Sequence, residues 1–134
     1  MISLNIKDYR EDSPSVVTVG TFDGIHLGHQ KLIDKVISIS KSKNLRSIIL
    51  TFNPHPRIIL NKDADITLLT TQNEKNKIFE SYNIDYLVTQ DFSKPFSKLS
   101  PIEFIRDILV KKLNVKHIVT GYDHHFGMGI DSIY

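Results

Sequence analysis

The sequence predicts a doubly wound parallel α/β sheet with helices on both faces. Short apolar or β-branched runs alternate with segments whose apolar residues recur at helical spacing, a pattern typical of right-handed βαβ units. The predicted strands are 16–19, 46–52, 85–89 and 116–120. Loops rich in Gly, His, Asn and Asp follow the first, second and fourth strands. Because ligands bind at the carboxyl ends of such strands, we expect these loops to line one pocket.

The composition describes one ordinary domain. The chain has 134 residues, 40% of them hydrophobic and 24% charged, which suits a single buried core. A formal net charge of +2 is too small to indicate a nucleic-acid or membrane surface. The sequence has no cysteine, which excludes disulfides and thiolate zinc sites and fits the cytoplasm. It shows neither a signal peptide nor the ~18 apolar residues that span a bilayer.

The turn after the first strand carries the strongest functional signal. It runs from Gly20 to His29 and leads into an amphipathic helix that begins near Leu27. The apolar residues that recur at helical spacing in it are Leu32, Ile33, Val36 and Ile37. His26 and His29 therefore lie in the first helical turn, where unpaired N–H groups and the helix dipole attract anions. The pattern predicts a phosphate site; the alternative is that His26 caps the helix and His29 packs.

Two later helices are predicted from their N-terminal caps. Thr71 and Glu74 have capping-box spacing, and the short helix that they begin is expected to stop near Asn83. A polar loop, 91–99, follows the third strand. Both features fit the alternation of strands and helices.

The last predicted helix has the clearest start in the chain. Ser100 is placed as N-cap, Pro101 at the first helical position and Glu103 three residues after the cap. The expected apolar stripe comprises Ile102, Ile105, Ile108, Leu109 and Leu113. We expect this helix to end at Asn114.

Five segments together resemble a known family. Gly20 to His29 resembles the His-x-Gly-His signature of nucleotidylyltransferases, which release pyrophosphate. The other segments are Thr51 to Pro56, Leu68 to Lys75, Phe96 to Phe104 and Gly121 to Gly127. In this order they resemble the N-terminal adenylyltransferase half of the bifunctional bacterial riboflavin kinase/FAD synthetase. The match runs from about Val16 to Gly127 and covers nearly the whole chain.

The resemblance implies a Rossmann-like fold of nucleotidylyltransferase type and the adenylation of FMN by ATP, giving FAD and pyrophosphate. His26 and His29 then contact the ATP phosphates as catalytic residues. The residues that would hold the nucleotide are Gly20, Thr21, Phe22, Asp23, Gly24 and Gly28. Mg²⁺ is expected to arrive with ATP rather than on protein ligands.

The same resemblance places a flavin or adenine pocket at two later loops. Asn53 and His55 fall at the second motif, and Asp123 and Phe126 fall at the last. Asn53 and Asp123 can hydrogen-bond a ring edge, and Phe126 offers a stacking face. Core packing of Phe126 and a self-bonded turn at Asp123 are the alternatives.

A zinc site is not expected from the remaining histidines. His124 and His125 are adjacent, so on an extended segment their side chains point to opposite sides. They cannot easily share one ion with His117.

The chain departs from the family after Gly127. The family continues through a basic Gly-rich stretch to a Ser/Thr-Ser/Thr-x-x-Arg motif, whereas this chain reads Met128 to Tyr134. We therefore expect residues 1–134 to form one C-terminally truncated domain without the riboflavin kinase domain. The alternatives are a non-catalytic ATP- or flavin-binding domain and a nucleotidylyltransferase with another phosphate acceptor, such as a cytidylyltransferase. Nothing in the sequence indicates an oligomeric state.

Overall fold

The computed structural model describes residues 1–20, 22, 27–53 and 72–120. In these residues five parallel strands form one sheet. They are β1 (Ile2–Asn5), β2 (Ser15–Val19), β3 (Arg46–Asn53), β4 (Tyr86–Asp91) and β5 (Val115–Val119). They pair in the order β1-β4-β3-β2-β5. The predicted α/β class and all four predicted strands are confirmed, with strand ends shifted by one or two residues.

The helices of the described ranges connect and cover these strands. They are α1 (Leu27–Lys43), α2 (Gln72–Glu80), α3 (Lys94–Ser97) and α4 (Pro101–Glu103). A π-helix (Phe104–Lys112) continues α4, and a 3-10 turn (Ile6–Asp8) follows β1.

The strand order contains a topological switch point beside β2. From β2 the chain moves to β3 and then β4 on one side, whereas β5 pairs with β2 on the other side. Two connections that leave a parallel sheet in opposite directions open a crevice outside the carboxyl ends of the strands. The fold therefore favours a ligand at the end of β2.

Apolar residues cover both faces of the sheet, as predicted. One face, called the α1 face, packs against α1 and α2; its buried residues are Val16, Phe22, Ile33, Val36, Ile49, Phe79, Ile84, Leu87 and Val119. The opposite face, called the π-helix face, includes Val17, Val19, Ile48, Leu50, Phe52, Tyr86, Val88, Phe104, Leu109 and Leu113. Alternation along β2, β3 and β4 divides the two sets, because successive strand residues point to opposite faces.

The sequence analysis missed β1. This edge strand pairs with β4, and its first residue Ile2 is 53% exposed. Among the described residues, Leu4 is the one member of the strand that packs against a core cluster. Four residues with one packed apolar side chain carry too little periodicity to predict a strand.

The predicted loop 91–99 was wrong in two respects. Asp91 is the last residue of β4, and α3 occupies part of the segment. The Ser93 hydroxyl caps α3 by accepting a hydrogen bond from the Phe96 N–H at 3.2 Å. Pro95 lies in the first turn of α3, where its missing N–H is not needed.

The capping box at Ser100 is confirmed. The Ser100 hydroxyl accepts from the Glu103 N–H, and the Glu103 carboxylate accepts from the Ser100 N–H, each at 3.1 Å. The backbone hydrogen bond from Ser100 lowers the pKa of Glu103. These paired bonds satisfy donors that the first helical turn leaves open.

The apolar stripe predicted after this cap was partly wrong. Ile102 is 73% exposed, whereas Phe104 is fully buried together with Leu109 and Leu113. The helix is π-helical here, as shown by the hydrogen bond from the Leu113 N–H to the Ile108 carbonyl at 3.1 Å. Because the i→i+5 pattern widens each turn, residues spaced by five and four share the buried face.

Asparagines in the left-handed region follow the helices. Asn44, Asn83 and Asn114 have φ of 54°, 60° and 51°. The expected ends at Asn83 and Asn114 are confirmed, although α2 itself closes at Glu80 and continues only as turns. Asparagine tolerates this conformation better than other residues with a Cβ, so it lets each chain segment turn back toward the sheet.

The amino edge of the sheet holds a buried aromatic cluster. The rings of Tyr9 and Tyr86 meet edge to face at 5.1 Å, and the Tyr86 hydroxyl donates to Glu11 at 3.1 Å. Arg46 pairs with Glu11 at 3.4 Å. Burial, then the nearby Tyr86 and Glu11, raise the pKa of Tyr9 to about 12. This edge is opposite the carboxyl ends of the strands.

The raised pKa of Tyr9 predicts a loss of stability in alkali. The unfolded chain releases this proton from about pH 10, whereas the folded chain keeps it to about pH 12, so stability is full below pH 10 and falls between these values. Urea unfolding at about pH 9 and about pH 11 should show a smaller fall for Tyr9→Phe than for the unchanged chain. Tyr82→Phe, outside the cluster, is the control. An equal fall in Tyr9→Phe would contradict the assignment.

Two buried polar residues of β2 differ in their hydrogen bonding. Ser15 and Thr18 are both fully buried. The Ser15 hydroxyl donates to the Leu113 carbonyl at 2.8 Å, whereas the Thr18 hydroxyl has no hydrogen-bond partner among the residues that the structure describes. A buried polar group without a partner is destabilising.

This difference predicts opposite effects for two substitutions on one strand. Thr18→Val should raise the free energy of unfolding by about 1 kcal/mol, because it removes an unpaired hydroxyl and keeps the branched shape. Ser15→Ala should lower it by about 1 kcal/mol, because it removes a made bond. Urea unfolding measures both, and destabilisation by Thr18→Val would show that its hydroxyl is paired.

Candidate nucleotide site

The connection from β2 to α1 lies at the switch point of the sheet. The Gly20 N–H donates to the Leu50 carbonyl at 3.0 Å, so β2 remains tied to β3 one residue beyond its end. Helix α1 begins at Leu27. Its first turn, whose N–H groups have no partner within the helix, comes after β2 in the chain.

Phe22, one residue of this connection, is packed in the core. Its side chain is 2% exposed, and its backbone has φ of 53°, a value unusual for a bulky residue. The ring lies 5.7 Å from the Phe79 ring at 89°. A conformation that is locally unfavourable persists because core packing holds the side chain. Any contact of Phe22 with a nucleotide would therefore come from its backbone, since the ring is in the core.

His29 lies in the first turn of α1 and packs on Phe22. The two ring centroids are 5.2 Å apart at 66°, and His29 is half-buried. His29 therefore packs, which was the alternative stated for it. A half-buried imidazole keeps part of its surface accessible beside the helix N-terminus, so packing orients the group without excluding a ligand contact.

Asn53 ends β3 at the same sheet edge. Asn53 is exposed, and its backbone carbonyl accepts a hydrogen bond from the Phe92 N–H at 3.1 Å. Beneath it, the Phe52 ring packs against Phe92 at 5.7 Å and Phe96 at 5.9 Å. The strand end is therefore anchored by aromatic packing, while the amide side chain remains open.

The structure describes the positions of only some of the predicted site residues. Gly20, Phe22, His29 and Asn53 all lie at the carboxyl edge, and Gly28 lies in the first turn of α1. The other candidates, Thr21, Asp23, Gly24, His26, His55, Asp123 and Phe126, lie outside the described residues.

Neither a metal cluster nor a spanning helix is found among the described residues. Across 1–20, 22, 27–53 and 72–120, no group of three or more His, Cys, Asp or Glu side chains is arranged to hold a metal ion. In the same ranges, no helix has the length and apolar character needed to cross a membrane.

Asn5 and Asp91 are polar residues at this edge that the sequence analysis missed. The Asn5 side-chain N–H donates to the Asp91 carboxylate at 2.9 Å. Asp91 is the register partner of Asn53 in the sheet. Asn5 and Asp91 come together because β1 pairs with β4. These two strands are far apart in sequence, so no local pattern indicates the contact.

Comparison with known proteins identifies the family. The family model described as FAD synthetase matches residues 8–132. The chain belongs to the FAD synthetase family. It is 41% identical over 116 residues to the bifunctional riboflavin kinase/FMN adenylyltransferase of Buchnera aphidicola subsp. Schizaphis graminum, covering 87% of this chain and 37% of that protein.

Two further relatives agree with this assignment. The bifunctional enzyme of the same name from Buchnera aphidicola subsp. Acyrthosiphon pisum is 43% identical over 123 residues, covering 92% of this chain and 39% of that protein. A Listeria monocytogenes FAD synthetase is 35% identical over 125 residues, covering 92% of this chain and 50% of that protein. This FAD synthetase family chain therefore spans half or less of each of these three relatives.

A solved structure shares the fold. It is named macrolide-efflux protein from Streptococcus pneumoniae, with a TM-score of 0.83 and 32% sequence identity. The match covers 95% of this chain and 43% of that one. The family assignment rests on the family model and the sequence relatives, and the solved structure supports the α/β architecture.

The contact between His29 and Phe22 predicts a stability difference between two substitutions. His29→Ala should lower the free energy of unfolding by about 1 kcal/mol, because it removes the aromatic contact that supports the turn. His29→Phe should keep most of that stability, since its ring can occupy the same position. Urea unfolding measures both, with exposed Lys31→Ala as the control. Equal losses for Ala and Phe would show that the imidazole nitrogens, rather than the ring, stabilise the turn.

Proposed function

We propose that this chain catalyses the transfer of the adenylyl group of ATP to FMN, as a domain of a longer bifunctional protein. Family membership supports the reaction class. The observation that carries the proposal to this chain is structural: α1 begins at the switch point of the parallel sheet with His29 in its first turn. This is the location at which such folds bind phosphates.

The proposed reaction needs charge stabilisation and alignment rather than a protein nucleophile. A phosphate oxygen of FMN attacks the α-phosphorus of ATP and forms the new P–O bond. The bond from the α-phosphorus to the bridging oxygen of the β-phosphate breaks, and pyrophosphate leaves with that electron pair. Negative charge grows on the oxygens in the transition state, so donors placed there beforehand lower the barrier.

His29 and the first turn of α1 supply these donors in the proposal. The helix N–H groups and dipole favour the negative phosphates, and the half-buried imidazole adds a donor whose direction is set by its contact with Phe22. His26 is proposed as a second donor from the same motif. Gly20, Thr21, Phe22, Asp23, Gly24 and Gly28 are proposed to hold the nucleotide, with Phe22 acting through its backbone.

The acceptor pocket is proposed around the end of β3. The exposed side chain of Asn53 can pair with a ring edge of flavin or adenine, and His55, Asp123 and Phe126 are proposed to complete the pocket. Mg²⁺ is proposed to enter as its complex with ATP. The reaction is proposed to take place in the cytoplasm. The assignment of residues 1–134 to one FMN adenylyltransferase-like domain remains part of this proposal.

Replacement of His29 by Phe separates catalysis from folding. The purified chain is assayed with ATP, Mg²⁺ and FMN for pyrophosphate release and FAD formation. His29→Phe should stay folded and lose turnover by roughly 10²- to 10³-fold, as expected when one transition-state donor is removed. The matched control is His117→Phe on β5, which should keep its activity.

Three other outcomes would contradict parts of the proposal. Inactivity of the unchanged chain with retained ATP binding would indicate a non-catalytic binding domain. Consumption of CTP with another phosphate acceptor, and no reaction with FMN, would indicate a different nucleotidylyltransferase. Full activity of His29→Phe would remove His29 from the catalytic residues.

A further inference from the structure

The side chain of Asn5 joins three structural elements. Its carbonyl oxygen accepts from the Lys7 N–H at 3.1 Å, where it caps the 3-10 turn after β1. Its amide nitrogen donates to the Asp91 carboxylate at 2.9 Å. Because the Lys7 N–H can only donate, it fixes which end of the amide faces Asp91. The bond to the charged carboxylate is therefore an oriented, charge-assisted one.

Asp91 in turn adjoins the end of β3. It is the register partner of Asn53, and the next residue, Phe92, donates its N–H to the Asn53 carbonyl at 3.1 Å. The Phe92 ring packs on Phe52 at 5.7 Å. Hydrogen bonds and packing thus run continuously from β1, through the end of β4, to the last residue of β3.

These residues lie on the face of the sheet that carries His29. Ile49 and Leu87 belong to the α1 face, and Asn53 and Asp91 each follow by an even number of strand residues. Since side chains alternate along a strand, both lie on the α1 face. His29 contacts Phe22 in the core of that face. The carboxyl edge on the α1 face therefore carries both His29, the proposed hydrogen-bond donor to phosphate, and the exposed amide of Asn53.

We propose that Asn5 and Asp91 are positioning residues that set Asn53 for the flavin substrate. The inference rests on the proposed function, because it takes Asn53 as part of the acceptor pocket. The backbone pairs of Ile2, Ser3 and Leu4 already attach β1 to β4, so the strand does not need the Asn5 side chain to stay in place. The side-chain bond stabilises the exposed end of β4, to which the end of β3 is fastened.

The location of this bond predicts which substrate it affects. The exposed ends of β3 and β4 can fray, and each bond that limits fraying lowers the entropy lost when Asn53 pairs with a ligand. Helix α1 has its main contacts with β2, β3 and β5, and His29 packs on Phe22, so neither depends on the bond between Asn5 and Asp91. Loss of the Asn5 to Asp91 bond should therefore weaken FMN binding and leave ATP binding nearly unchanged.

A charge swap tests the pair directly. Asn5→Asp places two carboxylates at hydrogen-bond distance and should raise the dissociation constant for FMN roughly three- to tenfold. Adding Asp91→Asn restores the bond in the reverse direction, because the amide at position 91 donates and the carboxylate at position 5 accepts. The cap on the 3-10 turn is kept, because either an amide or a carboxylate at position 5 can accept from the Lys7 N–H. The double variant should return to within about twofold of the unchanged chain. FMN binding is followed by flavin fluorescence and ATP binding by calorimetry.

Two controls separate positioning from general destabilisation. Ser3→Ala removes a side-chain bond from β1 to Asn76 of α2 at 3.4 Å, and it should leave FMN binding unchanged. Asn53→Ala tests the pocket itself and should weaken FMN binding by at least as much as Asn5→Asp. Urea unfolding of every variant checks that the fold is kept.

The results distinguish failure of this inference from failure of the proposed function. Weaker FMN binding by Asn53→Ala, with no effect of Asn5→Asp or no rescue by the double variant, would overturn the positioning role alone. No FMN binding by the unchanged chain, or no effect of Asn53→Ala, would overturn the acceptor pocket and this inference with it. Equal weakening of FMN and ATP binding by Asn5→Asp would show a structural role and also overturn it.

Discussion

The geometry of the site depends on the buried ring of Phe22. Its backbone has a positive φ that an isolated bulky residue would avoid, and this local cost is offset because the ring is enclosed between Phe79 and His29. Phe22, which lies in the chain between β2 and α1, is therefore held in the core by these contacts. The position of His29 in the first turn of α1 is thus determined by core packing as well as by the polar residues of the motif.

The amino and carboxyl edges of the sheet differ in the contacts of their side chains. At the amino edge, Tyr9, Tyr86, Glu11 and Arg46 are engaged with one another in ring contacts, a hydrogen bond and an ion pair. At the carboxyl edge, the Asn53 side chain is exposed and His29 is only half-buried. The contacts of the amino edge stabilise the fold at a distance from the accessible side chains of the carboxyl edge.

Local sequence signals predicted much of the fold. The capping box at Ser100 and the asparagine ends at Asn83 and Asn114 depend on neighbours within a few residues, and the structure confirms them. The β1 strand depends on Tyr86 to Thr89, which are distant in sequence, so the N-terminal pattern alone could not indicate it. Phe104 lies in the core and Ile102 is exposed, because the i→i+5 period of the π-helix differs from the α-helical period that the prediction assumed.

The site shows the same division between local and distant information. Gly20, Phe22, His29 and Asn53 were predicted as site residues from motifs contiguous in sequence, and the structure describes all of them at one edge. Asn5 and Asp91 meet only after β1 has joined the sheet, so no motif could reveal them. Their roles in binding remain predictions.

The position of β1 has a consequence for the order of folding during synthesis. The strand leaves the ribosome before the other described strands, and its partner β4 emerges only after β2, α1, β3 and α2 have been made. Until then its backbone donors and acceptors have no strand beside them, and the bond between Asn5 and Asp91 cannot form. Contacts between distant segments form late because they require closure of a long loop. The outer margin of the carboxyl edge should therefore be among the last parts of the described sheet to be completed.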